Sequence, residues 1–361
     1  MNIKKIAKYI LLNFKAIYLY LFCNSKFDMS KDIVIFITHS LGGGTEHYVQ
    51  QQRLNQCAIL RKIGFGIDYF FEIEYQEKSK YITRKDLFNE LANLKSYFIN
   101  SLVGYSMKEE ILMFLVNEKK KRDIKFQYVL HDFDCLCKYN FNLVKNGVFC
   151  KLECSKCRKN DNKYNDNWRN FLLQCDEICC FSCSSKELLL QKYNNIDEQK
   201  VNVIPHKIEY CKKFKPVKLS SDELHIGFVG NCNSISKGKN IVISFLKFSR
   251  RKKIKISVIG KYNIENRVWG RNIHYLGRYN NDDLGNILER EGINIVFFTS
   301  ICPETFSYLI SELIALEIPI CCFDVGAQGE KIKLYKYGKI IQRDTSQQMF
   351  SQILSFWNSI Q

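Results

Sequence analysis

The sequence predicts an α/β protein built from two doubly wound parallel sheets, and three observations carry that expectation. From residue 32 onward, short apolar runs alternate with helix-patterned stretches, the signature of strand–helix–strand units. The alternation stops near His206, gives way to the polar, lysine-rich stretch 210–223, and then restarts. With 361 residues, the chain is about twice the ~100–200 residues of a typical domain.

Composition sets the class. Hydrophobic residues make up 46%, with 26 Phe and 20 Tyr, enough to bury two cores and to exclude a mainly disordered chain. Lys and Arg total 54 against 37 Asp and Glu, a net charge of +17, which favours anionic partners such as phosphates, nucleic acid or acidic lipid. The 16 cysteines are too dilute for a small disulfide scaffold and fit a reducing, cytoplasmic setting. Cys179, Cys180, Cys321 and Cys322 lie in apolar runs, where a thiol acts as a small buried hydrophobe.

Residues 1–30 predict a basic amphipathic helix. Ile3, Ala7, Ile10, Phe14, Ile17 and Leu21 recur every three or four positions, with Lys4, Lys5, Lys8 and Lys15 off that stripe. The apolar stretch 9–23 contains Lys15 and falls short of the ~20 residues that span a bilayer. No small-residue cleavage site follows it, so it does not read as a secretory signal. Two readings stand: an interfacial helix on the inner face of an anionic membrane, or a helix packed on its own domain.

Residues 31–209 predict the first domain. IVIFIT (33–38) is its first strand, followed by GIDYFF, SYFINSLVGY, FQYVLH, EICCFSC and VNVIPH, with MKEEILMFLVNEKKK as a helix among them. Residues 210–223 read as a linker because they are polar and carry a proline. Residues 224–345 predict the second domain. Its strands are HIGFVG, KISVIG, NIHYLG, INIVFFTS and PICCFD, with LISELIAL a helix before the last. Residues 346–361 predict a helix docked through Met349, Ile353, Phe356 and Trp357.

Three segments suggest chemistry. HSLGGGTEH follows the first strand; its glycines let backbone approach a ligand, and the amides of the next helix attract an anion. Position 47 is His47 rather than glycine, so the dinucleotide fingerprint is broken and a Rossmann oxidoreductase is disfavoured. FVGNCNSISKGKN places Lys237 just before a helix start, where an ammonium and free amides suit a diphosphate. PETFSYLISE follows a buried strand and sets Glu304 and Glu312 eight residues apart, about two helical turns, so both carboxylates can face one cleft. Each has a plainer reading: a tight glycine turn, a basic helix start, a solvated acidic helix start.

Together, the glycine loop, the pair His131–Asp132, the SKGKN turn and PETFSYLISELIALEIPICCFDVGAQGE resemble the nucleotide-sugar glycosyltransferases of family 4. The resemblance covers roughly residues 33–338. It implies the GT-B arrangement, two Rossmann-like domains facing a cleft, and transfer of a sugar from a nucleoside diphosphate sugar to a saccharide or lipid-linked acceptor. Retention of configuration, no catalytic divalent metal and a place in surface polysaccharide or glycan biosynthesis are implied with it. By position, Glu312 would hold the ribose hydroxyls, Glu304 would face the donor sugar, and Lys237 would neutralise the diphosphate. Gly43 and Gly44 would bring the first domain's backbone to the donor phosphate or acceptor, and His131 would contact the sugar near the reacting carbon. Asn231, Phe306 and Ser307 complete the expected substrate-binding set. The family's arginine a few residues before the lysine is missing here, residues 231–236 being NCNSIS; either Lys239 compensates or turnover is weaker, since a guanidinium fork suits diphosphate better than a neutral amide.

Cys137, Cys150, Cys154 and Cys157 fall in a polar insert, 134–166, and end in CxxC. Thiolates so spaced are candidates for a structural Zn site at Zn–S ~2.3 Å. Reduced, unliganded thiols are the alternative. The competing functional reading is a non-catalytic sugar-nucleotide or nucleic-acid binding protein with that zinc. Nucleic acid is not the expected partner, because a basic surface has no need of both glutamates and the glycine loop.

Overall fold

The computed structural model describes residues 3–361 except 28, 30, 31, 40–43, 53–56, 65, 67, 93, 155–160, 220–222 and 251. The chain divides into two compact units, one of Met1–Phe141, Glu153–Phe181 and Lys186–Ile204, the other of Asn142–Leu152, Ser182–Ser185 and Pro205–Gln361.

In chain order, the elements begin with α1 (Ile3–Phe22), β1 (Val34–Thr38), α2 (Gly44–Gln52), β2 (Ala58–Ile63), β3 (Phe70–Tyr75) and β4 (Lys78–Thr83). Next come α3 (Arg84–Ala92), β5 (Ser96–Ile99), α4 (Lys108–Lys121), β6 (Lys125–Val129) and the small hairpin β7 (Val144–Lys145) and β8 (Val148–Phe149). α5 (Asn162–Gln174), β9 (Glu177–Cys180), α6 (Cys183–Lys192) and β10 (Val201–Val203) follow. The sheet of the first unit has the order β10-β9-β6-β5-β1-β2-β3-β4. The chain therefore runs outward from β1 to β2 and later restarts on the other side at β5. The gap between the carboxyl ends of β1 and β5 is a topological switch point, where open α/β sheets place ligands.

The parallel expectation fails at one edge. β2 pairs with β3 and β3 with β4 in antiparallel register. Gln76 and Glu77 both take positive φ, 46° and 63°, the backbone of a tight two-residue hairpin turn. Neither is the Asn or Gly that normally announces such a turn. The run SYFINSLVGY also shortens to a strand ending at Ile99, and its polar continuation, Asn100 and Ser101, is buried at the switch point.

The second unit continues with β11 (His225–Asn231), α7 (Lys239–Ser249), β12 (Lys255–Lys261), β13 (Ile273–Gly277), α8 (Leu284–Glu291) and β14 (Ile295–Phe298). α9 (Tyr308–Ala315), β15 (Ile320–Cys322), α10 (Gly326–Leu334), β16 (Gly338–Ile340) and α11 (Ser346–Ile360) complete it. Its six-stranded sheet is parallel throughout, in the order β13-β12-β11-β14-β15-β16, so the switch point lies between β11 and β14; the small β7/β8 hairpin of this unit is antiparallel.

Alternation along the buried strands builds a core on each face of this sheet. On β14, Ile295 and Phe297 join Phe228, Phe245 and Ile353, whereas Val296 and Phe298 join Leu288, Ile310 and Leu313. Met349, Ile353, Phe356 and Trp357 of α11 are buried in the first of these cores, as their spacing predicts. Cys179, Cys180, Cys321 and Cys322 are buried too, and burial pushes the Cys179 and Cys180 thiols up to about 12, which keeps them unreactive.

The stretch 210–223 is not a free tether over its described residues. Glu209–Lys213 form a 3₁₀ turn, and Val217 is buried while its N–H donates to the Leu316 carbonyl at 2.9 Å. Its composition is polar, but Tyr210, Phe214 and Val217 are spaced to lay one apolar edge on the second unit.

Candidate active site

A cavity of about 330 Å³ opens at the switch point of the second unit, lined by Gly230 and Asn231 at the end of β11, by Thr299 and Ser300 after β14, and by Lys237, Glu304 and Glu312. Local chain geometry brings these groups together. After β11, Ser234 caps a 3₁₀ turn by accepting from the Lys237 amide at 3.3 Å. Gly238 then takes φ 84°, and a Cβ there would fall 2.1 Å from the Thr299 carbonyl oxygen, so only glycine lets the turn lie against the end of β14. The fit is reinforced by Thr299 Oγ1 donating to the Lys237 carbonyl at 3.0 Å and by the Ile301 amide donating to the Ser236 carbonyl at 2.9 Å.

The loop carrying Glu304 is held from behind by the start of α10. Gln328 is fully buried; its Nε2 donates to the Cys302 carbonyl at 2.7 Å and its Oε1 accepts from the Glu304 amide at 3.0 Å. The Ala327 amide donates to the Glu304 carbonyl at 2.9 Å. A side chain at Gly326 would sit 2.6 Å from the Glu304 nitrogen. These contacts explain why the FDVGAQGE segment accompanies the two glutamates: it fixes the backbone that aims one of them.

The two carboxylates are in opposite electrostatic situations. Burial works against charge on Glu304, but the Lys237 ammonium, 2.5 Å from its Oε1, outweighs burial and holds the carboxyl below the usual range, with Ser307 and Ser300 assisting. Lys237 is correspondingly raised: burial lowers it, and the charge of Glu304 more than offsets that. Glu312 is 2% exposed, and burial raises its carboxyl despite hydrogen bonds from Tyr210 Oη at 2.7 Å and Asn281 Nδ2 at 2.9 Å, both to Oε1. One member of the pair is a stabilised anion, the other an anion poorly stabilised until a donor reaches it.

Phe306 and Ser307 stand behind the cavity rather than in its lining. Phe306 is buried, with Lys331 Nζ 3.4 Å from its ring centre. Lys331 also donates to Ser311 Oγ at 2.6 Å and to the Ser307 carbonyl at 3.3 Å, and burial lowers its ammonium to about 8. Ser307 takes φ 63° as it enters α9. Tyr210, Asn281 and Gln328 carry no local signal in the sequence: Tyr210 lies in a polar, linker-like stretch, Asn281 in a polar loop, and Gln328 inside a motif whose buttressing role depends on the folded backbone.

The first unit gathers a different set at its switch point. His131 Nε2 is 2.6 Å from Asn100 Oδ1, and Asn100 Nδ2 donates to Thr38 Oγ1 at 2.9 Å, a chain across the ends of β6, β5 and β1. The rings of Tyr48 and Phe181 flank the imidazole, with centroids at 5.1 and 4.8 Å. Next to it, Asp132 accepts from Ser101 Oγ at 2.8 Å, and burial, aided by repulsion from Asp134, raises its carboxyl to about 6. Gly44 opens α2 beside this set; Gly43 lies outside the described residues.

Among the described residues, no group of three or more His, Cys, Asp or Glu side chains could hold a metal ion. Of the four cysteines predicted as zinc ligands, Cys137, Cys150 and Cys154 are described, and Cys154 Sγ accepts from Lys192 Nζ at 3.3 Å. Cys157 lies outside the described residues.

No protein-family model matches the chain, and no curated protein does. Solved structures do. A sucrose-phosphate synthase from Thermosynechococcus elongatus superposes with a TM-score of 0.59 at 15% identity, covering 91% of this chain and 90% of that one. Anabaena HepE in complex with UDP gives 0.58 at 12% identity, with 91% of each chain covered. A glycosyltransferase from Rickettsia africae ESF-5 gives 0.59 at 15% identity, covering 92% and 89%. The fold is that of the GT-B glycosyltransferases, two Rossmann-like units, as the sequence predicted.

Proposed function

We propose that the protein is a retaining glycosyltransferase that takes a sugar from a nucleoside diphosphate sugar held in the cavity of the second unit. The observation that carries this reading is the convergence of Lys237, Glu304 and Glu312 on one cavity at the β11/β14 switch point. Glu312 receives the ribose hydroxyls, whose O–H groups donate to a carboxylate that is otherwise costly to keep charged. Lys237 meets the diphosphate. As the bond from the anomeric carbon to the diphosphate oxygen breaks, negative charge grows on the leaving group, and an ammonium fixed in place stabilises it without reorganisation. The start of α7, just after Gly238, adds backbone amides and a positive dipole end. Glu304 anchors Lys237 and faces the sugar, with Asn231 at the rim.

In the first unit, His131, oriented by Asn100, contacts the sugar near the reacting carbon, and Gly43 and Gly44 approach the donor phosphate or acceptor. The acceptor hydroxyl attacks from the face the diphosphate leaves and passes its proton to the departing diphosphate oxygen, which retains configuration, and its oriented binding supplies the rest of the rate. No divalent metal takes part. The acceptor is a saccharide or a lipid-linked saccharide, and the role is in surface polysaccharide or glycan biosynthesis, in the cytoplasm where sixteen cysteines stay reduced.

HepE has been solved with UDP and with UDP-glucose, which makes uridine nucleotides the first to try. The test is a thermal-shift screen of nucleoside diphosphate sugars, followed by acceptor-dependent release of nucleotide from the one that stabilises the protein. Glu312→Ala should abolish most of that stabilisation while the unliganded protein still unfolds cooperatively. A protein that binds no nucleoside diphosphate, yet binds nucleic acid in a salt-sensitive way, would reverse the reading.

A further inference from the structure

Independently of the sugar chemistry, we infer that the outward face of α1 docks the protein onto an anionic lipid surface. α1 is firmly seated on the first unit by its other side. Ala16 is buried, the Tyr20 ring lies 5.2 Å from that of Phe70, and the chain after the helix is pinned by Asn24, whose side chain exchanges two hydrogen bonds with the backbone of Tyr81 at 2.8 and 2.9 Å. That seating leaves Leu11, Phe14, Ile17, Tyr18, Leu21 and Phe22 pointing away from the unit, from 42% exposed at Ile17 to 72% at Phe22. Their spacing draws a continuous apolar band down the helix. The stripe legible in the sequence is thus mostly the outer face, and the helix packs on its domain with the opposite one.

An apolar band of this kind calls for an occupant. The sequence of α1 contains four lysines and no acidic residue, and Lys15 is exposed on the helix, next in the chain to Phe14 of the band. A second copy of the chain would bring like charges together there. A leaflet of acidic headgroups meets the lysines with opposite charge while its acyl boundary accepts the leucine, phenylalanine and tyrosine side chains. No helix among the described residues is long and apolar enough to cross a membrane, so the mode is a helix lying in the interface.

The experiment is co-sedimentation of the full chain with phosphatidylcholine vesicles, with and without phosphatidylglycerol. The chain should bind the mixed vesicles far better than the neutral ones, and less as salt screens the lysines. Leu11→Ser/Phe14→Ser/Tyr18→Ser, confined to exposed positions, should lower partitioning by more than about tenfold with unchanged circular dichroism. Lys8→Glu/Lys15→Glu should remove the preference for phosphatidylglycerol, and it serves alone if the triple variant fails to fold. The inference is overturned if either folded variant partitions as the wild type does. It is equally overturned if the wild type binds neither vesicle and forms a dimer that the triple variant splits, which would assign the band to a second copy.

Discussion

The two switch points of this molecule occupy equivalent places in their sheets and carry different side-chain sets. In the second unit, the ends of β11 and β14 surround a cavity whose wall includes an ammonium and two carboxylates. In the first, the ends of β1, β5 and β6 meet through the hydrogen-bonded chain Thr38–Asn100–His131, with aromatic rings flanking the imidazole and the buried Asp132 carboxyl beside it. Topology decides where a ligand can sit, because parallel strands present diverging loops only at their carboxyl ends. Residue type decides what it can be: charged groups with partial neutralisation suit an ionic ligand, and an oriented imidazole suits a hydroxylated, uncharged one.

The largest effect separating the two should come from Lys237→Met. Removing the ammonium deletes charge-assisted bonds to the diphosphate, worth about 1.5–3 kcal/mol, or roughly 10–100-fold in donor affinity. Titration calorimetry with the stabilising nucleotide sugar reads this directly. Unchanged affinity would show that the amides at the start of α7, with Lys239, hold the diphosphate without it, and would also remove any consequence of the absent arginine.

A smaller effect on binding, and a diagnostic one, is expected in the first unit. His131→Ala should leave donor affinity within about twofold of wild type and lower kcat, because an interaction made near the reacting carbon counts mainly in the transition state. An equal loss in affinity would instead place the nucleotide partly on the first unit and dissolve the contrast between the sites. Asn100→Ala should follow His131→Ala in direction, since the imidazole would keep its reactivity but lose its orientation.

How much of this was legible in the sequence follows from the range of the interactions involved. Strands such as Ile295–Phe298 and the helix Ser346–Ile360 declare themselves through local periodicity, and Glu304, Glu312 and Lys237 declare themselves through spacing around a strand end. The hairpin at Gln76 and Glu77 did not, because its positive-φ residues are imposed by the pairing of β3 with β4 rather than by their own preference. Tyr210 and Gln328 were hidden for a related reason. A tyrosine 102 positions from Glu312, or a glutamine clamping a loop 24 positions away, leaves no periodic trace.

The smallest expected effect uses pH to split the two glutamates that the sequence treats as a pair. Glu304 has a folded value below its unfolded reference of 4.5, so the stability it contributes is fully present above about 4.5 and is lost as pH falls through the lower folded value. Glu312 has a folded value above 4.5. Its contribution is present below about 4.5 and is lost as pH rises through the higher folded value, the reverse sign in a different window. Glu304→Gln should therefore flatten the acid limb of a plot of Tm against pH below about 4.5, and Glu312→Gln should raise Tm relative to wild type above it. Both effects should be on the order of a few degrees. Differential scanning calorimetry of the unliganded protein across pH 3–8 suffices. If both variants changed the same limb, the carboxylates would share one environment, and the assignment of one to a fixed cation and the other to a ligand's hydroxyls would fail.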